Sequence, residues 1–120
     1  MDGDGRMTLR TTVLGREIRC DATRLDEGIH VLLTGGHKSH IGAVSVCDPG
    51  KEPETMTMPG HKEQYVTAPW SKAISNAANA RCCVVCGIHY DNATPQELAA
   101  IMDAVGQLLN QLIAALDPQE

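Results

Sequence analysis

The sequence predicts an α+β domain, a mainly antiparallel β-sheet with two helices packed on one face, and three observations point to it. Apolar and polar residues alternate over residues 7–20, the pattern of strands with one wet face. Short apolar runs bounded by glycine and proline recur over residues 29–88. Beyond residue 94, apolar side chains return every three or four positions behind a helix-capping motif. A chain of 120 residues has room for one core, so a single domain over 6–117 is expected, preceded by a loose Gly- and Asp-rich segment, 1–5.

Taken in order, Met7, Leu9, Thr11 and Val13 alternate with polar neighbours, and Ile18 and Cys20 resume the alternation after Gly15-Arg16, which predicts a hairpin. Asp26-Glu27-Gly28 turns the chain into a strand over His30–Leu33. A second apolar run, Ile41–Cys47, reads as another central strand and ends in the turn residues Asp48-Pro49-Gly50. Thr55–Met58 alternates briefly, as an edge strand does. From His61 to Ala80 the composition is helical, and Pro69, suited to a first turn, predicts a helix starting there with a separate turn at His61–Val66. Cys82–Ile88 reads as a buried strand. Thr94-Pro95-Gln96-Glu97 is a capping box with proline at the first helical position. Behind it Leu98, Ile101, Met102, Val105, Leu108, Leu109, Leu112 and Leu116 predict an amphipathic helix of about 22 residues.

Composition removes several classes of function. Aromatic residues are 2% of the chain and Phe is absent, so the core is aliphatic and no platform for stacking bases is available. A formal charge of −5 argues equally against a phosphate-backbone binder, and nucleic acid is not an expected partner. No apolar run approaches a membrane span, and MDGDGRMTLR lacks the basic head and apolar stretch of a signal peptide; a cytoplasmic location is expected. Five cysteines, an odd number, then predict free thiols. Cys83-Val84-Val85-Cys86 is formally C-x-x-C, but residues three apart on a strand face opposite sides, so these thiols are expected to act as small buried hydrophobes.

Chemistry-bearing residues concentrate in three segments: Thr34–Gly42 (TGGHKSHIG), Pro59–Glu63 (PGHKE) and Gly87–Thr94 (GIHYDNAT). In the first, Gly35-Gly36 allows backbone N–H groups to converge, and His37, Lys38 and His40 add charge suited to a phosphate or carboxylate; a glycine-rich connector with solvated side chains is the alternative. In the second, His61 and Lys62 near a helical start would lie where the macrodipole is already positive, which makes sense beside an anion; a solvated turn accounts for them too. In the third, His89 ends a buried strand before Tyr90, Asp91 and Asn92, a common place for ligand groups, though turn formation alone explains Asp91 and Asn92. The histidines match no metal-binding spacing, so no metal ligand is assigned, and no nucleophile, triad or acid–base carboxylate pair stands out.

Together LLTGGHKSHIGAVSV, PGHKE and CGIHYDNATPQELAAI resemble the prenylated-flavin chaperone family, the small D-type accessory proteins of gallate decarboxylase, related in fold to proteasome-assembly chaperones. The resemblance covers Ile29 to Leu116. It implies a non-catalytic carrier that binds reduced prenylated flavin mononucleotide and delivers it from the flavin prenyltransferase to a UbiD-type decarboxylase. It also implies ligand contacts at Gly36, His37, Lys38, His40, His61, Lys62, His89, Asp91 and Asn92. On residue chemistry, such a ligand would find apolar surroundings at Ile41, Met56 or Met58 and an aromatic contact at Trp70 or Tyr90. A site shared by two chains would fit so small a domain, and a homodimer is expected. The rival readings are a small metal-dependent enzyme using His37, His40, His61 or His89, and an assembly chaperone that binds only protein.

Overall fold

The computed structural model describes residues 3–118, which form six strands and two helices. The strands are β1 (Arg6–Val13), β2 (Arg16–Arg24), β3 (Ile29–Gly36), β4 (Ala43–Cys47), β5 (Glu54–Thr57) and β6 (Cys82–His89); the helices are α1 (Gln64–Ala78) and α2 (Pro95–Ala114). They build one sheet in the order β1-β2-β3-β6-β4-β5, antiparallel except for the β3–β6 pair. This is the predicted α+β class. Of segment 1–5, Met1 and Asp2 lie outside the described residues, while Gly5 accepts a hydrogen bond from the Arg24 N–H.

The hairpin closes one residue earlier than Gly15-Arg16 suggests. Leu14 and Gly15 both take positive φ, 53° and 75°, and Val13 pairs directly with Arg16, the two-residue turn whose twist suits a hairpin. Strand alternation then aims Ile18, Cys20, Ala22, Val31, Leu33, Val84 and Cys86 at the helices, where they are buried. From α2, Ile101, Val105, Leu108 and Leu112 meet them, and the Thr94–Glu97 capping box starts that helix as expected.

Helix α1 begins at Gln64, five residues before Pro69, where the proline was expected to start it. Its buried stripe is Val66, Thr67, Trp70, Ser71, Ile74, Ser75 and Ala78, a four-residue repeat already under way before the proline. Burying Val66 and Thr67 against the sheet outweighs the one helical hydrogen bond that Pro69 removes. The carbonyl so deprived belongs to Tyr65, an exposed residue, where water can serve it. Ile41 likewise falls outside β4 and is 61% exposed, because the chain is still crossing the sheet at that point.

The opposite face of the sheet carries no helix. Across it Leu32 pairs with Val85, Val85 with Val44, and Val44 with Met56, a transverse apolar row over four strands. Cys83 lies on this face and Cys82 and Cys86 on the other, as alternation required of the C-x-x-C residues.

The link from β3 to β4 has to cross β6, which lies between them. It does so against bare backbone. A side chain at Gly87 would collide with the His40 carbonyl, one at Gly36 with the His89 carbonyl, and one at Gly42 with the Glu63 carboxylate. Hydrogen bonds from the His37 N–H to His89 O (2.6 Å) and from the Gly42 N–H to Cys86 O (2.9 Å) fasten the two ends of the crossing. Gly87→Ala should therefore lift this segment and lower stability by about 1–3 kcal/mol, read from denaturant unfolding; an unchanged midpoint would mean that the crossing yields freely. A second expectation concerns the thiols. Burial pushes Cys20, Cys82 and Cys86 up to about 12 and raises Cys47 and Cys83 as well. In folded protein at neutral pH a disulfide thiol reagent should titrate no more than half-buried Cys83, and all five thiols only after unfolding.

Candidate functional site

The three segments meet at one end of the sheet, over the final residues of β3 and β6 and before the first turn of α1. His40 Nε2 lies 2.8 Å from Glu63 Oε1 and 3.1 Å from His61 Nδ1, which joins the first segment to the second. The Asp91 N–H donates to His37 Nδ1 (3.2 Å), joining the first to the third; that bond makes Nδ1 an acceptor and leaves the ring proton on Nε2. His89 Nε2 lies 2.9 Å from Asp91 Oδ1, and the rings of His40 and His89 are 6.5 Å apart. Tyr90 packs edge-on to His37 and donates its hydroxyl to Val13 O (3.0 Å), tying the end of β6 to the β1–β2 hairpin. Burial raises the Tyr90 phenol, so it stays a proton donor.

A cavity of about 500 Å³ opens beside this cluster, within the size range of small-molecule sites. Its floor is Cys86 and Ile88 of β6. Val66 and Tyr65 of α1 form one wall, Leu98, Ile101, Met102 and Val105 of α2 the other, and Gly60, His61, Lys62, Glu63, His89 and Tyr90 the rim. Leu98 and Met102 remain 52% and 46% exposed, so this part of the α2 stripe is not used up by the core. Such a container suits a largely apolar molecule with polar groups at one edge. The Cys86 thiol in its floor is held protonated by burial and offers no nucleophile.

Of the residues singled out from sequence, His61, Lys62 and His89 line the cavity. His37, Lys38, His40, Asp91 and Asn92 occupy the two loops flanking it, and Gly36 ends the strand before the first of them. Gly36 belongs to β3, and its positive φ of 81° serves the close approach to His89; the His37 N–H is already engaged and is not available to an anion. Lys38 is exposed, and Asn92, at φ 53°, shapes the turn into α2. Ile41, Met56 and Met58 do not line the cavity, and Trp70 is buried in the core. Sequence reasoning missed the apolar wall. Leu98, Ile101, Met102 and Val105 read as ordinary core; Ile101 and Val105 do belong to it, and the exposure of Leu98 and Met102 has no signal in the sequence.

A second hollow, at Glu27, Gly28, Asp48, Ala80 and Arg81, lies at the other end of β6 and is polar. There the Arg81 guanidinium grips Asp48 at 2.6 and 3.0 Å and holds its carboxyl below the usual range. No helix among the described residues is long and apolar enough to cross a membrane.

Known proteins resemble the chain in sequence and in fold. Residues 12–117 match the model of the prenylated flavin chaperone LpdD-like domain. The chain is 25% identical over 114 residues to Protein LpdD of Lactiplantibacillus plantarum, spanning 91% of this chain and 84% of that one. The fold is similar to one in the crystal structure of a novel chaperone complex for yeast 20S proteasome assembly, with a TM-score of 0.55, 16% identity and coverage of 94% and 99%. The chain belongs to the prenylated flavin chaperone LpdD-like family, a family of non-catalytic accessory proteins.

Proposed function

We propose that this chaperone is a cytoplasmic carrier that takes reduced prenylated flavin mononucleotide into the cavity between α1 and α2 and hands it to a UbiD-type aromatic-acid decarboxylase. The supporting observation is the cavity itself, an apolar chamber of about 500 Å³ with cationic and hydrogen-bonding residues along one edge. Ile88, Ile101, Met102 and Val105 would cover the prenylated ring system. Lys62, with His61, would face the phosphate, and His89 with its partner Asp91 the polar ring edge. Gly36 at the end of β3, and Lys38, His37, His40 and Asn92 on the flanking loops, complete the surroundings. The flavin is cargo here and supplies its chemistry in the enzyme that receives it, so the site has to exclude water and let go. Mostly aliphatic walls and a partly open rim serve both needs.

We further propose a homodimer joined through the open sheet face. The row Leu32–Val85–Val44–Met56 would otherwise leave apolar surface in water across four strands.

Two measurements decide these readings. Anaerobic gel filtration with reduced prenylated flavin mononucleotide should give one co-eluting flavin per chain. Replacing Lys38 and Lys62 by Ala should weaken binding by roughly 10- to 150-fold, the worth of one charge-assisted hydrogen bond. Met102→Glu should abolish it. Wild-type protein that carries no flavin, or variants that bind as well as wild type, would overturn the carrier. Light scattering at micromolar protein should give about twice the 12.9 kDa chain mass, and Val44→Glu should halve it; a monomeric wild type would end the dimer proposal.

A further inference from the structure

Beside the cavity rim, three side chains able to donate electron pairs converge. His40 Nε2, His61 Nδ1 and the Glu63 carboxylate all lie within 4.8 Å of one another. The individual separations are 2.8 Å from His40 Nε2 to Glu63 Oε1, 3.1 Å between the two ring nitrogens, and 3.7 Å from His61 Nδ1 to Glu63 Oε2. Ligands held at about 2.0–2.1 Å around one tetrahedral ion stand about 3.3 Å from each other, and the three observed values bracket that spacing. The carboxylate is enclosed, with its side chain 11% exposed, and Glu63 Oε2 is buried without a hydrogen-bond donor.

The surroundings orient the donors. The other nitrogen of His40 faces the Lys38 carbonyl at 3.3 Å, a contact that favours a proton on Nδ1 and an open lone pair on Nε2, toward His61 and Glu63. Gly42 leaves room for the Glu63 carboxylate. Glu63 is also the residue before α1, yet its side chain makes no capping bond to the helix. Its carboxylate turns to the histidines instead.

We propose that His40, His61 and Glu63 form a binding site for one divalent transition ion of the zinc type. Two imidazoles and a carboxylate suit such an ion and leave coordination positions for water or a ligand oxygen, because three protein groups do not fill the shell. The site binds its ion without flavin and does not rest on the carrier reading, so either can fail alone.

The test uses the full chain, stripped with chelator and free of flavin. Titration with Zn2+ should give one ion per chain, with Mg2+ as a hard-ion control that does not bind. His61→Ala and the isosteric Glu63→Gln should each weaken Zn2+ by more than about 100-fold, beyond the 10- to 100-fold that loss of a supporting group costs. In wild-type protein, whose folding is not in question, Zn2+ should shift the imidazole nitrogen resonances of His40 and His61 and leave those of His30, His37 and His89 in place. Absence of stoichiometric Zn2+, equal binding of Mg2+, undiminished binding in the variants, or shifts confined to the other histidines would each overturn the proposal and leave the cluster as a clasp between loop and helix.

Discussion

The arrangement of the site depends on one contact between backbones, the His40 peptide lying against Gly87. Because β6 is inserted between β3 and β4, the chain has to pass over it, covering two interstrand spacings, about 10 Å, within residues 37–42. So short a crossing can only run flat against the strand beneath, and only a residue without a side chain permits that. The segment that carries His37 and His40 is thereby hydrogen-bonded to β6 at both ends. What looks like a loop in sequence is a fixed bracket, anchored at His89 on one side and Cys86 on the other.

The second constraint is the unequal reach of the two helices. Helix α1 lies on β4 and β6, while α2 extends toward β1, and they touch each other little. Where their first turns diverge, aliphatic side chains that would have closed the core face a hollow. Exposed apolar area costs about 25 cal/mol per Å², so a hollow walled by Leu98, Met102 and Val66 is a standing expense to the fold unless something apolar enters it. The polar cluster at its rim is partly self-satisfied, His89 with Asp91.

Legibility from sequence followed the strength of local patterning. The β1–β2 hairpin, β6 and the capped α2 each carry a period or a cap that belongs to one secondary structure alone, and each was readable. The start of α1 was not, because Pro69 is a strong local signal, whereas the burial of Val66 and Thr67 that outweighs it is a property of the assembled sheet. The convergence of the three motifs was readable only as a resemblance. Spacing along the chain does not reveal that β6 enters between β3 and β4, and that insertion is what brings His40 to Glu63. Ile41 and Met56 were offered as apolar lining on hydrophobicity alone; one proved to lie on the crossing and the other on the open sheet face. The true lining, on α2, was hidden in a stripe that looked complete as core.

Scarcity of aromatic side chains has an optical consequence. Trp70 is the one tryptophan of the chain, buried at 2% exposure on α1, and it shares a helix face with Val66 four residues earlier, a rise of about 6 Å. Val66 is part of the cavity wall. The near-ultraviolet emission of the folded protein therefore arises almost wholly from one indole beside the chamber. An absorbing guest there lies within energy-transfer distance of it, so occupancy is written in the intrinsic fluorescence without any label.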